Sequence, residues 1–389
     1  MRKVYLDYSA TTPVKEEVLK EMIPYFTEKF GNPSSLYDIG LESKEAVTHA
    51  REQVAALINA KPQEIYFTAG GTEADNWAVV GTVEKLKSKG NHIITTKIEH
   101  HAMLHSCAFL EKEGCQITYL DIDQEGRIDL KQLEDAITDK TVLISIMLVN
   151  NEIGTIQPVK EAAAIAKKHG ILFHTDAVQG LGNVPIDVKD MGVDMMSVSS
   201  HKIYGPKGSG ALYIRKGVNI ANYMHGGGQE SRKRAGTENL AGIIGFGKAA
   251  ELARINFESH VKHCTKLRDY LKDRILSEIP DTFINGTMEG RHPGNLNITF
   301  KYIEGESILL LLNQYGISVS TGSACSSASL EPSHVLTALG VPVEMIHGTV
   351  RFTVGDFTTK EDIDYVVDHL KTIVEKLREI SSVNSKKGW

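Results

Sequence analysis

Two side chains that could do chemistry stand at the ends of apolar runs typical of buried strands. Asp176 follows the run Ile171–Thr175, and Lys202 comes just after Met195–Ser199 and before a Y-G-P turn. Ligands of open α/β sheets bind at the carboxyl ends of the strands, so one strand–helix–strand unit would bring this carboxylate and this amine to one crevice. A lysine amine there can form a Schiff base, although a lone lysine after a strand is more often a solvated charge.

A third stretch begins with glycines. Residues Gly70–Asn76 read G-G-T-E-A-D-N and follow the strand candidate Ile65–Thr68. Glycines that open a helix leave free N–H groups at the positive end of the helix dipole, which favours a phosphate site. The alternative is an ordinary helix cap, with Thr72 as N-cap and Asp75 in the first turn. The motif alone favours neither interpretation.

Histidines follow the next strand candidate. His101 and His105 have the i, i+4 spacing of a helix face, but without acidic ligands nearby or an H-E-x-x-H motif we predict no metal site. His100, at the strand end, could instead stack on a ring or carry protons.

Taken together, these residues meet the demands of a pyridoxal phosphate site. Such a site needs a lysine for the Schiff base, an acid for the pyridinium nitrogen and a helix start for the phosphate. Lys202, Asp176 and Thr72 supply the three, and His100 could stack on the ring. The combination is far more specific than any of its members.

A further candidate is Cys325, which lies among small residues in Ser320–Ser329. Such a segment packs little, so we predict a mobile loop. A thiol with a pKa of about 8.5 is only slightly ionised at neutral pH, yet its thiolate is a strong nucleophile. We interpret Cys325 as reactive. The cysteines interpreted as inert, because they lie in or beside helix and strand patterns, are Cys107, Cys115 and Cys264.

Composition limits the class of protein. The 389 residues are 41% hydrophobic, and 43 basic against 49 acidic side chains give a net charge of −6, which argues against nucleic acid as the main ligand. The widely spaced cysteines contain no C-x-x-C pair, so a reducing cytoplasm is favoured over a disulfide framework. No apolar segment suggests a signal peptide or a membrane span.

The elements that must position these residues alternate along the chain. Between Ile65 and Ile214, seven strand candidates alternate with helical patterns, which predicts an α/β fold with a mainly parallel seven-stranded sheet wrapped by helices. After about Asn256 the pattern becomes α+β. We predict a large domain over residues 15–256, and a smaller α+β domain, formed by 1–14 and 257–389, that carries Cys325.

The whole chain resembles the class V, fold-type I pyridoxal phosphate enzymes, and specifically the NifS/IscS-type cysteine desulfurases. The resemblance runs from Y-L-D-Y-S-A-T-T-P near the start to R-F-T-V-G-D-F-T-T near the end. Between them, in order, are G-N-P-S-S, G-G-T-E-A-D-N, I-E-H-H-A, V-N-N-E-I-G, T-D-A-V-Q, S-S-H-K-I-Y-G-P-K-G, R-A-G-T-E-N and S-T-G-S-A-C-S-S-A-S-L-E-P-S.

The resemblance implies a role for each matching residue. Lys202 would hold the cofactor as a Schiff base, Asp176 would pair with the pyridinium nitrogen, and His100 would stack on the ring and assist proton transfer. Gln179 would bond the ring hydroxyl, and Asn151 would contact the ring away from the phosphate. The residues implied for the phosphate are Gly71, Thr72, Ser199, His201 and, from the second subunit of a dimer, Thr237. Those implied for the substrate carboxylate are Asn32 and Arg351, whose guanidinium can bind in a bidentate manner.

The implied reaction converts L-cysteine to L-alanine, leaves the sulfur as a persulfide on Cys325 and passes it to an acceptor, often an iron–sulfur scaffold protein or a tRNA-modifying sulfurtransferase. The alternatives are a selenocysteine lyase, an aminotransferase or another pyridoxal phosphate lyase, for which activity would survive loss of Cys325. A non-catalytic binding protein would instead be colourless. Asp356 stands where several relatives have a basic residue, which predicts altered electrostatics near the carboxylate end or at a docking surface.

Overall fold

The computed structural model describes residues 2–322 and 332–381. Its strands are β1 (Val4–Tyr5), β2 (Ile65–Thr68), β3 (His92–Thr96), β4 (Gln116–Leu120), β5 (Thr141–Ser145), β6 (Leu172–Asp176), β7 (Met195–Ser199), β8 (Gly210–Ile214), β9 (Thr282–Ile284), β10 (Asn295–Phe300), β11 (Ile317–Ser318) and β12 (Thr349–Thr353).

Helices connect and cover these strands. They are α1 (Glu16–Met22), α2 (Pro24–Thr27), α3 (Asp38–Leu57), α4 (Gly71–Leu86), α5 (His101–Lys112), α6 (Leu130–Asp135), α7 (Val159–Lys168), α8 (Val188–Met191), α9 (Gln229–Arg232), α10 (Leu240–Ile255), α11 (Phe257–Glu278), α12 (Gly305–Gln314), α13 (His334–Ala338), α14 (Val343–Ile346) and α15 (Lys360–Ile380). Among the residues described, no helix is long and apolar enough to cross a membrane.

The largest sheet has seven strands in the order β2-β8-β7-β6-β5-β3-β4. Every neighbouring pair is parallel except those made by β8, which runs antiparallel to both β2 and β7. The predicted α/β fold with a mainly parallel, helix-wrapped sheet is therefore confirmed. β6 ends at Asp176 and β7 at Ser199, with a 3-10 turn, Ser200–Lys202, directly after it. Because β6 and β7 are parallel neighbours, their carboxyl ends lie side by side.

A second core lies around a three-stranded antiparallel sheet of order β12-β10-β9. Helix α15 covers it with an apolar stripe that repeats every three or four residues, from Ile363 to Val374. A capping box between Thr359 and Asp362 starts this helix. The start of the chain joins the same core, because β1 pairs in parallel with β11, with Val4 opposite Ile317. The first strand and the last helix described thus belong to the same second core.

Candidate active site

Lys202 lines a cleft at the carboxyl ends of β6 and β7. Its ammonium group donates to the backbone oxygen of Ser9 and, at 2.9 Å, to that of Ala10, so the segment after β1 forms one wall. The sequence-predicted residues that line this cleft are Gly71, Thr72, His100, Asn151, Asp176, Gln179, Ser199, His201 and Lys202. Strand ends and one helix start that are far apart in sequence therefore converge on one amine.

Asp176 is a buried carboxylate in this cleft. Its Oδ1 accepts a hydrogen bond from the Val178 N–H at 2.9 Å. Burial raises the pKa of Asp176, while the Val178 N–H and the charge of Lys202 lower it in part. A buried carboxylate of this kind is stabilised by a cationic partner, such as a protonated ring nitrogen. Gln179 lies beside it, with its amide nitrogen donating to the Ser9 oxygen at 2.9 Å.

The helix start at Gly71 has the properties of an anion site. Gly70 is the N-cap of α4, and no side chain caps the helix. Thr72 lies inside the first turn, so its interpretation as N-cap is wrong. A Cβ on Gly71 would come within 2.7 Å of Val178 Cγ2, so only glycine allows the helix to begin this close to the end of β6. The uncapped N–H groups and the helix dipole thus face the cleft that contains Lys202.

Two histidines in the cleft are held neutral. His100 is the N-cap of α5, and its Nδ1 accepts from the Ala102 N–H at 3.1 Å, which places the ring proton on Nε2. Burial, followed by the charge of Lys202, lowers the pKa of His100 to about 4. Burial lowers the pKa of His201 to about 4 as well, and its Nδ1 lies 3.1 Å from Thr11 Oγ1. A neutral imidazole can stack on a ring or accept a proton.

The other two histidines of the same motif point elsewhere. The His101 ring lies 5.1 Å from that of His105 and 4.9 Å from that of His334, between ring centroids, and neither His101 nor His105 lines the cleft. His334 lies at the start of α13 and was not singled out from the sequence. Its Nε2 lies 2.9 Å from the backbone oxygen of Glu99. The contacts of His334 with His101 and Glu99 therefore join α5 to α13, and they do not face Lys202.

Arg351 is buried on β12, directly behind the cleft. Its Nη1 donates to the backbone oxygen of Asn151 at 3.0 Å and its Nη2 to Asp7 Oδ1 at 2.7 Å, while Nε has no hydrogen-bond partner among the described residues. Arg351 itself does not line the cleft, and its Nε is buried, although it is bonded to the cleft-lining residue Asn151. Asn32, in contrast, is exposed, accepts from the Ser34 N–H at 2.9 Å and does not line this cleft.

Thr237 is also placed outside this cleft. It is exposed and lines a neighbouring one together with Arg234 and Asn239. Arg234 also donates from Nε to Glu73 Oε1 at 2.7 Å, on the first turn of α4, and in the described part of the chain Thr237 and Lys202 line no cleft in common. Within one chain, Thr237 therefore stays apart from Lys202.

Cys325 lies outside the described residues, but the residues that flank its segment do not. Ser333 Oγ donates to Glu152 Oε2 at 2.5 Å, and a Cβ on Gly322 would lie 3.0 Å from the same oxygen. Ser320 exchanges backbone hydrogen bonds with Arg351 at 2.6 and 3.3 Å. Both flanks thus attach beside Glu152 and Arg351, next to Asn151 in the cleft.

Two buried acids were missed as site residues. Asp75 lines the cleft and was interpreted only as a possible first-turn cap residue; burial, followed by the charge of Asp176, raises its pKa. Glu99 lies under the cleft, where Oε1 accepts from Thr96 Oγ1 at 2.7 Å and from the Met147 N–H at 3.0 Å. Burial raises the pKa of Glu99 to about 8. The signal in the sequence was an acid directly before the strand-end His100.

Comparisons with known proteins place this geometry in a family. Residues 4–366 match the family Aminotransferase class-V, and the chain therefore belongs to the class V aminotransferases. It is 56% identical over 388 residues to "Cysteine desulfurase IscS" of Dictyoglomus turgidum, covering 100% of this chain and 98% of that protein. It is also 56% identical over 385 residues to the protein of the same name from Methanosarcina thermophila, covering 99% and 95%.

A solved structure described as a NifS-like protein agrees closely with the fold. It superposes with a TM-score of 0.91 at 38% identity and covers 97% of this chain and 100% of its own. Within the class V aminotransferases, the chain thus belongs to the cysteine desulfurases, which depend on pyridoxal phosphate. The cleft fits this cofactor: it offers an uncapped helix start, a buried carboxylate at Asp176 and an amine at Lys202.

Proposed function

We propose that this protein converts L-cysteine to L-alanine and stores the released sulfur as a persulfide on Cys325. In this reaction the carbon–sulfur bond of the substrate breaks, a sulfur–sulfur bond forms on Cys325, and the thiol proton balances the new C–H bond of alanine. The observation that carries the proposal is that Asp176 and Lys202 face one cleft, beside the attachment points of the Cys325 segment. Family membership supports the same reaction.

The cofactor would be held by the cleft residues. Lys202 would bind it covalently, Asp176 would pair with its ring nitrogen, and Gln179 would bond its ring hydroxyl. The phosphate would lie on the uncapped start of α4, held by Gly71, Thr72, Ser199 and His201. When bound, pyridoxal phosphate supplies an electron sink for negative charge at the substrate α-carbon.

The substrate carboxylate would bind Arg351. Its guanidinium is fixed by Asp7 and by the backbone of Asn151, and its buried Nε–H has no partner among the described residues, so a local opening would expose this donor to a carboxylate. Asn32 would assist if a second subunit or a local closure brings it to the site. The flanks of the segment that carries Cys325 attach to Arg351 and Glu152, so a substrate held at Arg351 would lie near that segment.

Proton transfer would be shared by Lys202 and His100. The Lys202 amine lies in the cleft, and His100 is neutral near pH 7 because burial lowers its pKa to about 4. A neutral imidazole whose Nδ1 accepts from the Ala102 N–H carries its proton on Nε2, so this cleft-lining ring would act first as a proton donor. The thiolate of Cys325 would then take the sulfur.

A homodimer would complete the site. Large apolar side chains are exposed on α1, α2 and the segment that follows them; they are Leu19, Ile23, Phe26, Phe30 and Leu36, the last of these 91% exposed. An apolar surface of this kind is typical of an interface between subunits. Thr237 would then reach the phosphate in the partner's cleft, which explains why it stays apart from Lys202 of its own chain.

The sulfur would pass from Cys325 to an acceptor protein, such as an iron–sulfur scaffold, in a reducing cytoplasm. Cys107, Cys115 and Cys264 are free thiols, as expected there. The separate main clusters around the seven-stranded and the three-stranded sheets support a division into a large domain, 15–256, and a small one formed by 1–14 and 257–389, with a smaller cluster packed between them.

The decisive experiment measures alanine and sulfide from L-cysteine and a reductant, with the unchanged protein and with Cys325→Ala. We expect equal amounts of the two products from the former and almost none from the latter. Cys115→Ser is the matched control, since Cys115 is a partly exposed free thiol distant from the cleft lining, and it should retain full activity. Full activity of Cys325→Ala would overturn the mechanism in favour of a lyase.

The dimer is tested by sedimentation of a Phe26→Asp, Phe30→Asp double variant. Two buried charges in an interface should convert the dimer into a monomer. Phe109→Asp, which places the same charge on an exposed phenylalanine of α5, should leave the dimer intact. A monomeric parent protein would contradict the proposal.

A further inference from the structure

Tyr204, two residues after Lys202, has a backbone conformation that needs support. Its φ angle of 65° is in the left-handed region, which is costly for a residue with a Cβ. Such conformations persist only where the surroundings hold them, and they occur preferentially at functional sites. The turn that carries Lys202 is therefore a place where neighbouring contacts decide the geometry.

Three residues from distant parts of the chain hold Tyr204. Its N–H donates to Thr12 Oγ1 at 2.8 Å, and its backbone oxygen accepts from the Lys15 N–H at 3.1 Å. Its hydroxyl oxygen accepts from the Asp356 N–H at 2.7 Å. The Lys15 ammonium also lies 4.6 Å from the centre of the Tyr204 ring.

Asp356 is the centre of this arrangement. Its Oδ2 lies 2.5 Å from Lys15 Nζ, and its Oδ1 is hydrogen-bonded to His260 Nδ1. Burial alone would raise the pKa of Asp356, but the hydrogen bond and charge of His260, and then Lys15, lower it to about 2. This carboxylate is therefore ionised and lies between two cationic groups. The Asp356 side chain is only 21% exposed, so it lies largely inside the protein rather than on a docking surface.

The hydrogen bonds of His260 require it to be an imidazolium. Its Nε2 lies 3.0 Å from Asn183 Oδ1. The amide orientation of Asn183 is fixed, because its Nδ2 donates to the backbone oxygens of Gln179 at 3.3 Å and Leu181 at 3.1 Å. Both ring nitrogens of His260 thus face oxygen acceptors, and both must carry a proton.

Other titratable groups surround the same ring. Cys264 Sγ lies 3.8 Å from each ring nitrogen, and the Tyr204 ring is 6.3 Å away, between centroids. His292 is close enough that the charge of His260 adds to burial in lowering its pKa to about 3. Because the sulfur is equidistant from both nitrogens, it is not aligned with either lone pair, and Asp356 is already bound by Lys15. The cluster is therefore organised as an ion network rather than as a metal site.

We propose that Lys15, Asp356 and His260 form an ionic clasp that positions Lys202 by holding Tyr204 in its left-handed conformation. Lys15 precedes α1, His260 lies on α11, and Asp356 follows β12, so the clasp ties the two cores together behind the cleft. The three are positioning residues, and the proposal rests on the function proposed above for Lys202.

The test uses the cofactor-loaded protein and the variant Asp356→Asn, which keeps the shape but removes the charge. We expect kcat for cysteine to fall about tenfold with KM nearly unchanged. We also expect the absorbance of the lysine-bound cofactor to titrate at a lower pH, by roughly half a unit or more, since the cations Lys15 and His260 remain. Asp190→Asn, which breaks an exposed ion pair with Lys160, is the matched control and should change neither quantity.

A second pair of variants separates charge from folding. Lys15→Arg retains the cation and should behave like the parent protein, whereas Lys15→Gln should lower kcat. The clasp would be overturned if both Asp356→Asn and Lys15→Gln left kcat and the pH titration of the cofactor absorbance unchanged. It would also be overturned if the variants only lowered the melting temperature and left that titration unchanged. The absorbance reports on Lys202 whether or not Cys325 transfers sulfur, so this proposal and the desulfurase proposal can fail separately.

Discussion

The two sides of Lys202 are built in different ways. On the cleft side, Asp176, His100 and His201 follow strand ends or a helix start, and burial determines their charge; both histidines have pKa values lowered to about 4. On the opposite side, Asp356 and its partners come from distant parts of the chain and are held as ions. On the cleft side burial keeps the two histidines neutral, whereas on the opposite side the Asp356 carboxylate is paired with Lys15 and His260.

The largest effect should follow from removing the amine itself. Lys202→Ala should lower alanine formation about a thousandfold or more, since it removes both the covalent attachment and a proton carrier. It should also abolish the absorbance of the lysine-bound cofactor. Lys216→Ala, at an exposed lysine after β8, serves as the control. Retention of that absorbance in Lys202→Ala would mean that the cofactor binds elsewhere.

On the cleft side, Asp176→Asn should be the next most severe change. A neutral amide cannot stabilise a protonated ring nitrogen, so we expect kcat to fall about a hundredfold while the protein still folds. Steady-state kinetics and circular dichroism would measure the two properties. A loss of less than threefold would show that the buried carboxylate is structural. Asp176 would then be a positioning residue, like Asp356 in the clasp.

A smaller loss is expected at the junction between the cleft and the Cys325 segment. Glu152→Gln weakens the charged hydrogen bond from Ser333 Oγ, which measures 2.5 Å, and should slow sulfur transfer about tenfold. Single-turnover measurements would separate persulfide formation from cofactor binding, which should not change. If cofactor affinity falls instead, Glu152 supports the cleft rather than the flanks of the segment.

Lowering the pH of the parent protein should distinguish the contribution of the buried histidines to stability from that of Asp356. Burial lowers the folded-state pKa values of His100 and His201 to about 4 and of His174 and His292 to about 3. In the unfolded chain these histidines take up a proton near pH 6.5, whereas in the folded protein they remain neutral to a lower pH. The free energy of unfolding should therefore fall as pH drops from about 6.5 toward 4. The loss should be several kcal/mol, at about 1.4 kcal/mol per pKa unit. Asp356, with a pKa lowered to about 2, should contribute until pH falls below about 4.

Urea unfolding followed between pH 8 and pH 3 would test this order. The unfolding free energy should decline first between pH 6.5 and 4, as the buried histidines gain protons on unfolding. Asp356→Asn should leave this decline in place and remove only a contribution lost at lower pH. A parent protein equally stable at pH 5 and pH 7 would contradict the neutral state of the cleft histidines.

The sequence predicts the sheet and most of the cleft for a physical reason. Asp176 and Lys202 directly follow apolar strands, and the parallel pairing of those strands fixes where their ends meet. The helix start at Gly71 is visible for the same reason, although its cap is Gly70 and not Thr72. Residues whose placement depends on neighbouring elements in sequence could thus be predicted.

What the sequence did not predict depends on long-range packing. Asp75 was weighed only as a cap residue, but the packing of α4 against the sheet buries it in the cleft. The partners of Asp356 were invisible, because nothing near residue 356 indicates that Lys15 and His260 pack against it. Asn32 and Thr237 stay outside the cleft of their own chain, and their roles remain predictions that depend on a second subunit.

The pairing of β1 with β11 has a consequence for how the protein is made. Val4 is synthesised long before its partner Ile317, and the interval between the synthesis of Asp7 and that of Arg351 is longer still. At about 5–20 residues per second, the interval is roughly 15–60 s, time enough for the seven-stranded sheet to form first. The newly made segment around Asp7 must remain unpaired during that interval, so Asp7 and Arg351 form their ion pair only after the seven-stranded sheet has been synthesised.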